Sequence, residues 1–169
     1  MTDGVCLDSS VLVKLLTPEP GSAAAAEVAA GAADLFAPEF AWAEVGSALR
    51  KKVRTGALTL DQADQAWGAL SALGLTFVAA AEVRDRAWRL AVEYGLPTLY
   101  DAAFLAVAEL APGGPCPLWT ADARLIDAVG SRHRLLRTLG SDEVSPGAGS
   151  GSGAAEAQLD PGRVPFRLP

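Results

Sequence analysis

Residues 98–110, TLYDAAFLAVAEL, constrain the fold more than any other stretch of the chain. At helical period this segment is apolar nearly all the way round, so no face is left for water and the helix must be central and buried. The elements that could bury it are short. Val5 to Leu7 reads as a strand, with a short helix after it through Leu16 that Ser9 and Ser10 can cap. An Ala-rich helix is expected at about 22–33, a strand near 35–37, and a helix opened by Pro38 and running to Arg54. Trp42, Val45, Leu49 and Val53 form that helix's apolar stripe. Thr59 and Gln62 make a capping box for a helix whose Leu60, Ala63, Trp67 and Leu70 share a face. A strand at 75–78 precedes a helix at 81–94 that buries Val83, Ala87, Leu90 and Ala91 and stops at Gly95. After the central helix come a strand at 117–120, a short helix at 123–129, and a last strand or helix at 135–139. Short strands alternating with helices predict an α/β three-layer sandwich, a parallel sheet flanked by helices on both faces.

At 169 residues the chain has room for one domain with a sizeable core and too little for two of ordinary size. We place that domain at 1–140. The remainder, 141–169, is rich in Gly, Ser and Pro and reads as a flexible tail. No apolar run reaches the ~18 residues of a membrane span, and MTDGVCLD lacks the marks of a secretory signal. A cytoplasmic location is the expectation. Cys6 and Cys116 lack metal-ligand spacing, and Cys6 reads as a small hydrophobe in a strand. His133 is the sole histidine, which excludes multi-His metal sites and leaves a Ser-His-Asp triad dependent on one residue inside SRHRLLR. A surface position or a polyanion contact is the expected use of it. The net charge of −6 argues against bulk electrostatic binding of nucleic acid. Two local basic groups remain, Arg50, Lys51, Lys52 and Arg54 in one and Arg132, His133, Arg134 and Arg137 in the other. Each could be a solvated helix end or a set of phosphate contacts.

Four acids stand out against this background. Asp8 interrupts the apolar run VCLDSSVLVKLL, although a carboxylate taken out of water costs several kcal/mol unless compensated. Asp101 is the sole charge in the first ten positions of the buried helix. Asp122 follows a strand end in WTADARLI, and Glu44 lies beside small neighbours in EFAWAEVGSAL. Each has a plain alternative. Asp8, Asp101 and Asp122 could cap the helices they begin, and Glu44 could be an ordinary exposed helix residue. Taken together they point elsewhere, because ligands of a parallel sheet bind outside the carboxyl ends of its strands. Two carboxylates 4 Å apart repel by ~4 kcal/mol at an effective dielectric of about 20. A converging cluster must therefore take up protons or bind a cation, and an all-oxygen donor set selects Mg²⁺ or Mn²⁺ over Zn²⁺.

VCLDSSVLVKLL, AEVGSALRK, LPTLYDAAFLAVAE and LWTADARLI, in this order, resemble the motifs of the PIN-domain ribonucleases, and among them the VapC-type toxins of prokaryotic toxin–antitoxin pairs. The likeness covers roughly residues 5–140. It implies a twisted parallel sheet, and an acidic site of Asp8, Glu44, Asp101 and Asp122 holding one or two Mg²⁺ or Mn²⁺ ions, with Ser10 and Thr120 supporting the carboxylates. It also implies RNA as substrate, a homodimer, and an antitoxin partner that blocks the groove. The tail carries Arg163 and Arg167 beside Val164 and Phe166 and could occupy such a groove itself. Two rival readings differ in kind. A degenerate member would only bind a partner. A metal-dependent phosphatase would use Asp8 as nucleophile, but that chemistry usually wants a second Asp where Ser10 stands.

Overall fold

A computed structural model describes residues 3–140. The expected boundary at 140 and the tail beyond it lie outside the described residues. The elements run β1 (Val5–Leu7), α1 (Ser9–Leu16), α2 (Ser22–Ala30), β2 (Leu35–Pro38), α3 (Ala41–Arg54), α4 (Leu60–Ala72), β3 (Thr76–Val78), α5 (Ala81–Tyr94), α6 (Leu99–Leu110), β4 (Leu118–Thr120), α7 (Ala123–Val129) and β5 (Leu136–Thr138). A single 3₁₀ turn, Gly130–Arg132, follows α7.

All five strands are parallel and ordered β3-β2-β1-β4-β5. The chain therefore steps outward from β1 through β2 to β3, then returns past β1 to place β4 on its other side. Parallel crossovers are right-handed, so this reversal of direction puts the later helices on the opposite face from the earlier ones. The result is the three-layer α/β sandwich expected. Helix α6 lies on β1, β2 and β4, and α5 covers it. Every residue from Ala102 to Ala108 is buried, as an all-apolar helix requires. Phe104 is the largest fully buried side chain, and Phe40 meets it edge-on at 6.0 Å between ring centroids.

Local signals behave as their chemistry dictates. The Thr59/Gln62 capping box forms in both directions, and Gly95 closes α5 at φ 66°, a conformation that a Cβ disfavours. Other expectations need correction. The Ala-rich helix ends at Ala30. Pro38 closes β2 in register with Val78, and the following helix starts only at Ala41. Proline is tolerated there because the ladder ends with it.

The stripe assigned to α3 is displaced. Its inward face is Ala41, Val45 and Leu49, whereas Trp42 is 51% exposed. Small residues allow α3 to pack closely on α1, and the large ring is left outside, where Trp42 and the 43% exposed Trp67 of α4 line one groove. A Cβ on Gly46 would stand 3.0 Å from the Trp67 ring, so this glycine makes room for the tryptophan. Leu60 is likewise exposed, leaving Ala63 and Leu70 to bury α4. His133 is not at the surface. It is buried with Nε2 3.1 Å from Glu109 Oε1, and Glu109 is also gripped by Arg86 of α5. Burial raises the Glu109 carboxyl, but Arg86 and His133 outweigh it and hold it below its usual value. The histidine thus ties the segment entering β5 to the end of α6, and Tyr94 meets it edge-on.

Candidate active site

Strand order fixes where the site must be. Chain direction reverses between β1 and β4, and such a switch point leaves a crevice beyond the strands' carboxyl ends. Asp8 follows the last residue of β1, and Asp122 lies two residues beyond β4. Glu44, in the first turn of α3, and Asp101, in the first turn of α6, complete the set. All four line one cavity of about 380 Å³, with Lys14, Glu19 and Arg124 at its rim.

Two hydroxyls brace the centre. Ser10 Oγ donates to Asp8 Oδ2 at 2.5 Å and accepts the Ala121 N–H at 2.9 Å. Thr120 Oγ1 donates to the same oxygen at 2.8 Å and accepts the Asp122 N–H at 3.0 Å. Each hydroxyl therefore uses both of its capacities to lash the end of β1 to the turn after β4. Thr120 is completely buried, and losing its hydroxyl would strand the Asp122 N–H. Thr120→Val is expected to cost about 1–3 kcal/mol of stability. Because it frees Asp8 to rotate, it should also lower activity by roughly 10–100-fold. Thermal melts and cleavage rates of the variant check both figures.

The plain alternatives for the acids sort unequally. Asp8 precedes α1 but makes no capping hydrogen bond to it. Thr98 makes none to α6, so Asp101 is not half of a reciprocal capping box. Asp122 does cap α7, its Oδ1 accepting the Arg124 N–H at 2.8 Å. Glu44 is half-buried, and its Oε2 is buried without a hydrogen-bond partner.

Electrostatics show that the carboxylates feel one another. Burial pushes the Asp8 carboxyl up, the Ser10 and Thr120 hydroxyls partly offset this, and Asp122 adds to it. Burial and then Asp8 push Glu44 up to about 7, against the Ser9 hydroxyl and with Asp101 adding its repulsion. Asp101 is raised by burial, Asp8 and Asp122. Asp122 alone goes the other way, since Arg124 outweighs its burial. The Arg124 guanidinium grips it, Nη2 to Oδ2 at 3.1 Å and Nε to Oδ1 at 3.4 Å.

A hard divalent cation suits this donor set. Oxygen is the sole ligand type, three acids carry raised proton affinity, and a buried Glu44 oxygen lacks a partner. Among the described residues, no three His, Cys, Asp or Glu side chains stand close enough as placed to grip an ion. The cysteines take no part. Both are buried, and burial pushes the thiols up, Cys116 to about 11.

Sequence reading missed Glu19. It sits between two prolines with no periodicity to flag it, yet it binds Lys14 at 3.2 Å, Thr17 at 3.3 Å and also Lys52. Burial raises its carboxyl, but the two lysines outweigh it and hold it low.

Comparison with known proteins agrees with the architecture. The PIN domain family matches residues 5–129. The crystal structure of PAE2754 from Pyrobaculum aerophilum superposes with a TM-score of 0.60 at 24% identity, over 80% of this chain and 89% of that one, a likeness of fold. No curated protein matches the chain.

Proposed function

The chain belongs to the PIN domain family, whose members are generally nucleases, and from that premise we propose that it is an endoribonuclease dependent on Mg²⁺ or Mn²⁺. The observation that carries this reading is the meeting of Asp8, Glu44, Asp101 and Asp122, from four separate segments, in one cavity at the switch point of the sheet.

Asp8, Asp101 and Asp122 are the residues that would hold the ion, and Glu44 would hold a second ion or orient the attacking water. A divalent ion bound there would act as a Lewis acid on the phosphate and would lower the pKa of an attacking water below its value in bulk. Everything else falls to the chain. The N-terminal ends of α1 and α6 carry partial positive charge towards the acids and towards an incoming phosphodiester. Without a cation, burial and the neighbouring Asp8 push the Glu44 carboxyl up to about 7, a repulsion that a bound divalent ion would relieve. Ser10 and Thr120 keep Asp8 from turning. Since the whole molecule is acidic, RNA is held by rim cations at flanking phosphates and not by a general positive field. Ser10 is committed to bracing Asp8, which disfavours the aspartyl-phosphate route of a phosphatase.

In its finer form the proposal is a VapC-type toxin: a homodimer, located in the cytoplasm, with RNA as substrate and a cognate antitoxin as partner. Its support is the motif set together with the site geometry. Among the described residues no helix is long and apolar enough to cross a membrane. RNA incubated with the protein should be cut in Mg²⁺ or Mn²⁺, spared in EDTA, and cut again when the metal is restored in excess. Folded protein that leaves RNA intact in every metal would put the partner-binding module in the nuclease's place.

A further inference from the structure

Arg124 holds an unusual position among the rim cations. Its side chain is 91% exposed, while the Asp122 carboxylate it grips is only 24% exposed. Lys14, the other cation lining the cavity, is tied down: its Nζ binds Glu19 at 3.2 Å and the Pro20 carbonyl at 2.8 Å. Arg124 has one partner in the cavity, and that partner is an acid placed to receive a divalent ion.

We propose that Arg124 is an exchangeable cation. It pairs with Asp122 while the acidic site is free of metal, and when Asp122 turns to a divalent ion the guanidinium moves to a phosphate of the bound strand. The idea rests on the reading of the four acids as a metal site and adds an order of events to it.

Three features carry it. The pair is cheap to break, since an exposed ion pair between near neighbours contributes little. Releasing the guanidinium does not undo α7, because the cap is the Arg124 main-chain N–H on Asp122 Oδ1, which stays in place while Oδ2, freed by Nη2, takes the ion. Finally, the planar fork that takes two carboxylate oxygens through Nε and Nη2 fits two phosphate oxygens equally well. The fold thus stores a phosphate-binding group beside the site, where it offsets negative charge until a metal replaces it.

The test is Arg124→Gln in the full-length protein. Calorimetry should show Mn²⁺ binding tightened by about two- to fivefold, because a competitor for Asp122 is gone. Polarisation of a fluorescent poly(dU) strand, whose phosphates match those of RNA, supplies the second readout. With Mn²⁺ present, the slope of log affinity against log salt should be shallower than wild type by about 0.7, the value for one phosphate contact on a single strand. Without Mn²⁺ the two slopes should coincide. Equal Mn²⁺ affinity in variant and wild type overturns the exchange and leaves the metal site standing. A slope change of the same size with and without Mn²⁺ overturns it as well. Failure of both proteins to bind Mn²⁺ overturns the metal site and the exchange together.

Discussion

Replacing Asp8 by Asn should lower RNA cleavage by about a thousandfold while leaving the protein at least as heat-stable as the wild type. The activity loss follows from charge. A carboxylate that helps hold a catalytic divalent ion contributes several kcal/mol of transition-state stabilisation, and each ~1.4 kcal/mol is a factor of ten in rate. The stability result follows from the same residue's surroundings. Asp8 is 4% exposed, its carboxyl is raised by burial, and it lies in the field of Asp122. Asn keeps an oxygen for the Ser10 and Thr120 hydroxyls and removes a buried charge in a repelling group. Melting temperature and cleavage rate, measured on one preparation, decide it. Full Mg²⁺-dependent cleavage by Asp8→Asn removes this carboxylate from the mechanism. A large drop in melting temperature would make Asp8 a structural residue instead.

The second large effect is in the metal-free protein, whose stability should fall as pH rises from about 4.5 to about 7. Glu44 has an ordinary value of 4.5 in the unfolded chain and about 7 in the fold, so across that interval the folded state holds a proton that the unfolded state has lost. Its contribution is complete below the unfolded value and disappears as pH climbs through the folded one. Asp8 and Asp101 are raised too and act in the same sense. The lowered carboxyls of Glu19, Glu109 and Asp122 oppose this only at more acidic pH, where their own pairings protonate. Saturating Mn²⁺ should erase the decline, because it needs the ionised acids. At a hundred times its dissociation constant it adds ~2.7 kcal/mol, or about 5–10 °C in melting temperature for a chain of this size. Melting curves across this pH range, in EDTA and in Mn²⁺, give the answer. A metal-free protein that grows more stable towards neutral pH would show that the acids do not repel in solution.

Some parts of the structure were legible because their cause is local. The limits of β1, α5 and α7 follow from runs of three to fourteen residues with clear punctuation, and the Thr59 capping box needs only four residues. The burial of α6 was legible because no polar face offers an alternative. Errors arose where choice between faces depends on a partner. Trp42 and Ala41 are neighbours on one helix, and hydrophobicity alone favours burying the tryptophan. Close approach of α1 reverses that choice. Sequence points His133 to the surface or to a polyanion because four of its six neighbours in SRHRLLR are polar, three of them arginines. Its partner Glu109 is 24 residues away, and the Arg86 that also grips Glu109 is 47 residues from the histidine.

The candidate site divides along the same line. Sequence alone determined which side chains are anomalous, since a charge in an apolar strand or a buried helix carries a cost wherever the chain goes, and it determined the oxygen-only ligand chemistry. Only the tertiary structure decided that the four acids share one cavity. That depends on β4 pairing with β1, a contact between residues more than a hundred positions apart. It also decided that Ser10 and Thr120 converge on a single oxygen of Asp8, and that Arg124 stands exposed on Asp122 while Lys14 is tied to Glu19 and the Pro20 carbonyl. Spacing along a chain fixes what a residue offers to its near neighbours. Which distant group receives the offer is set by strand order and packing, which no local pattern encodes.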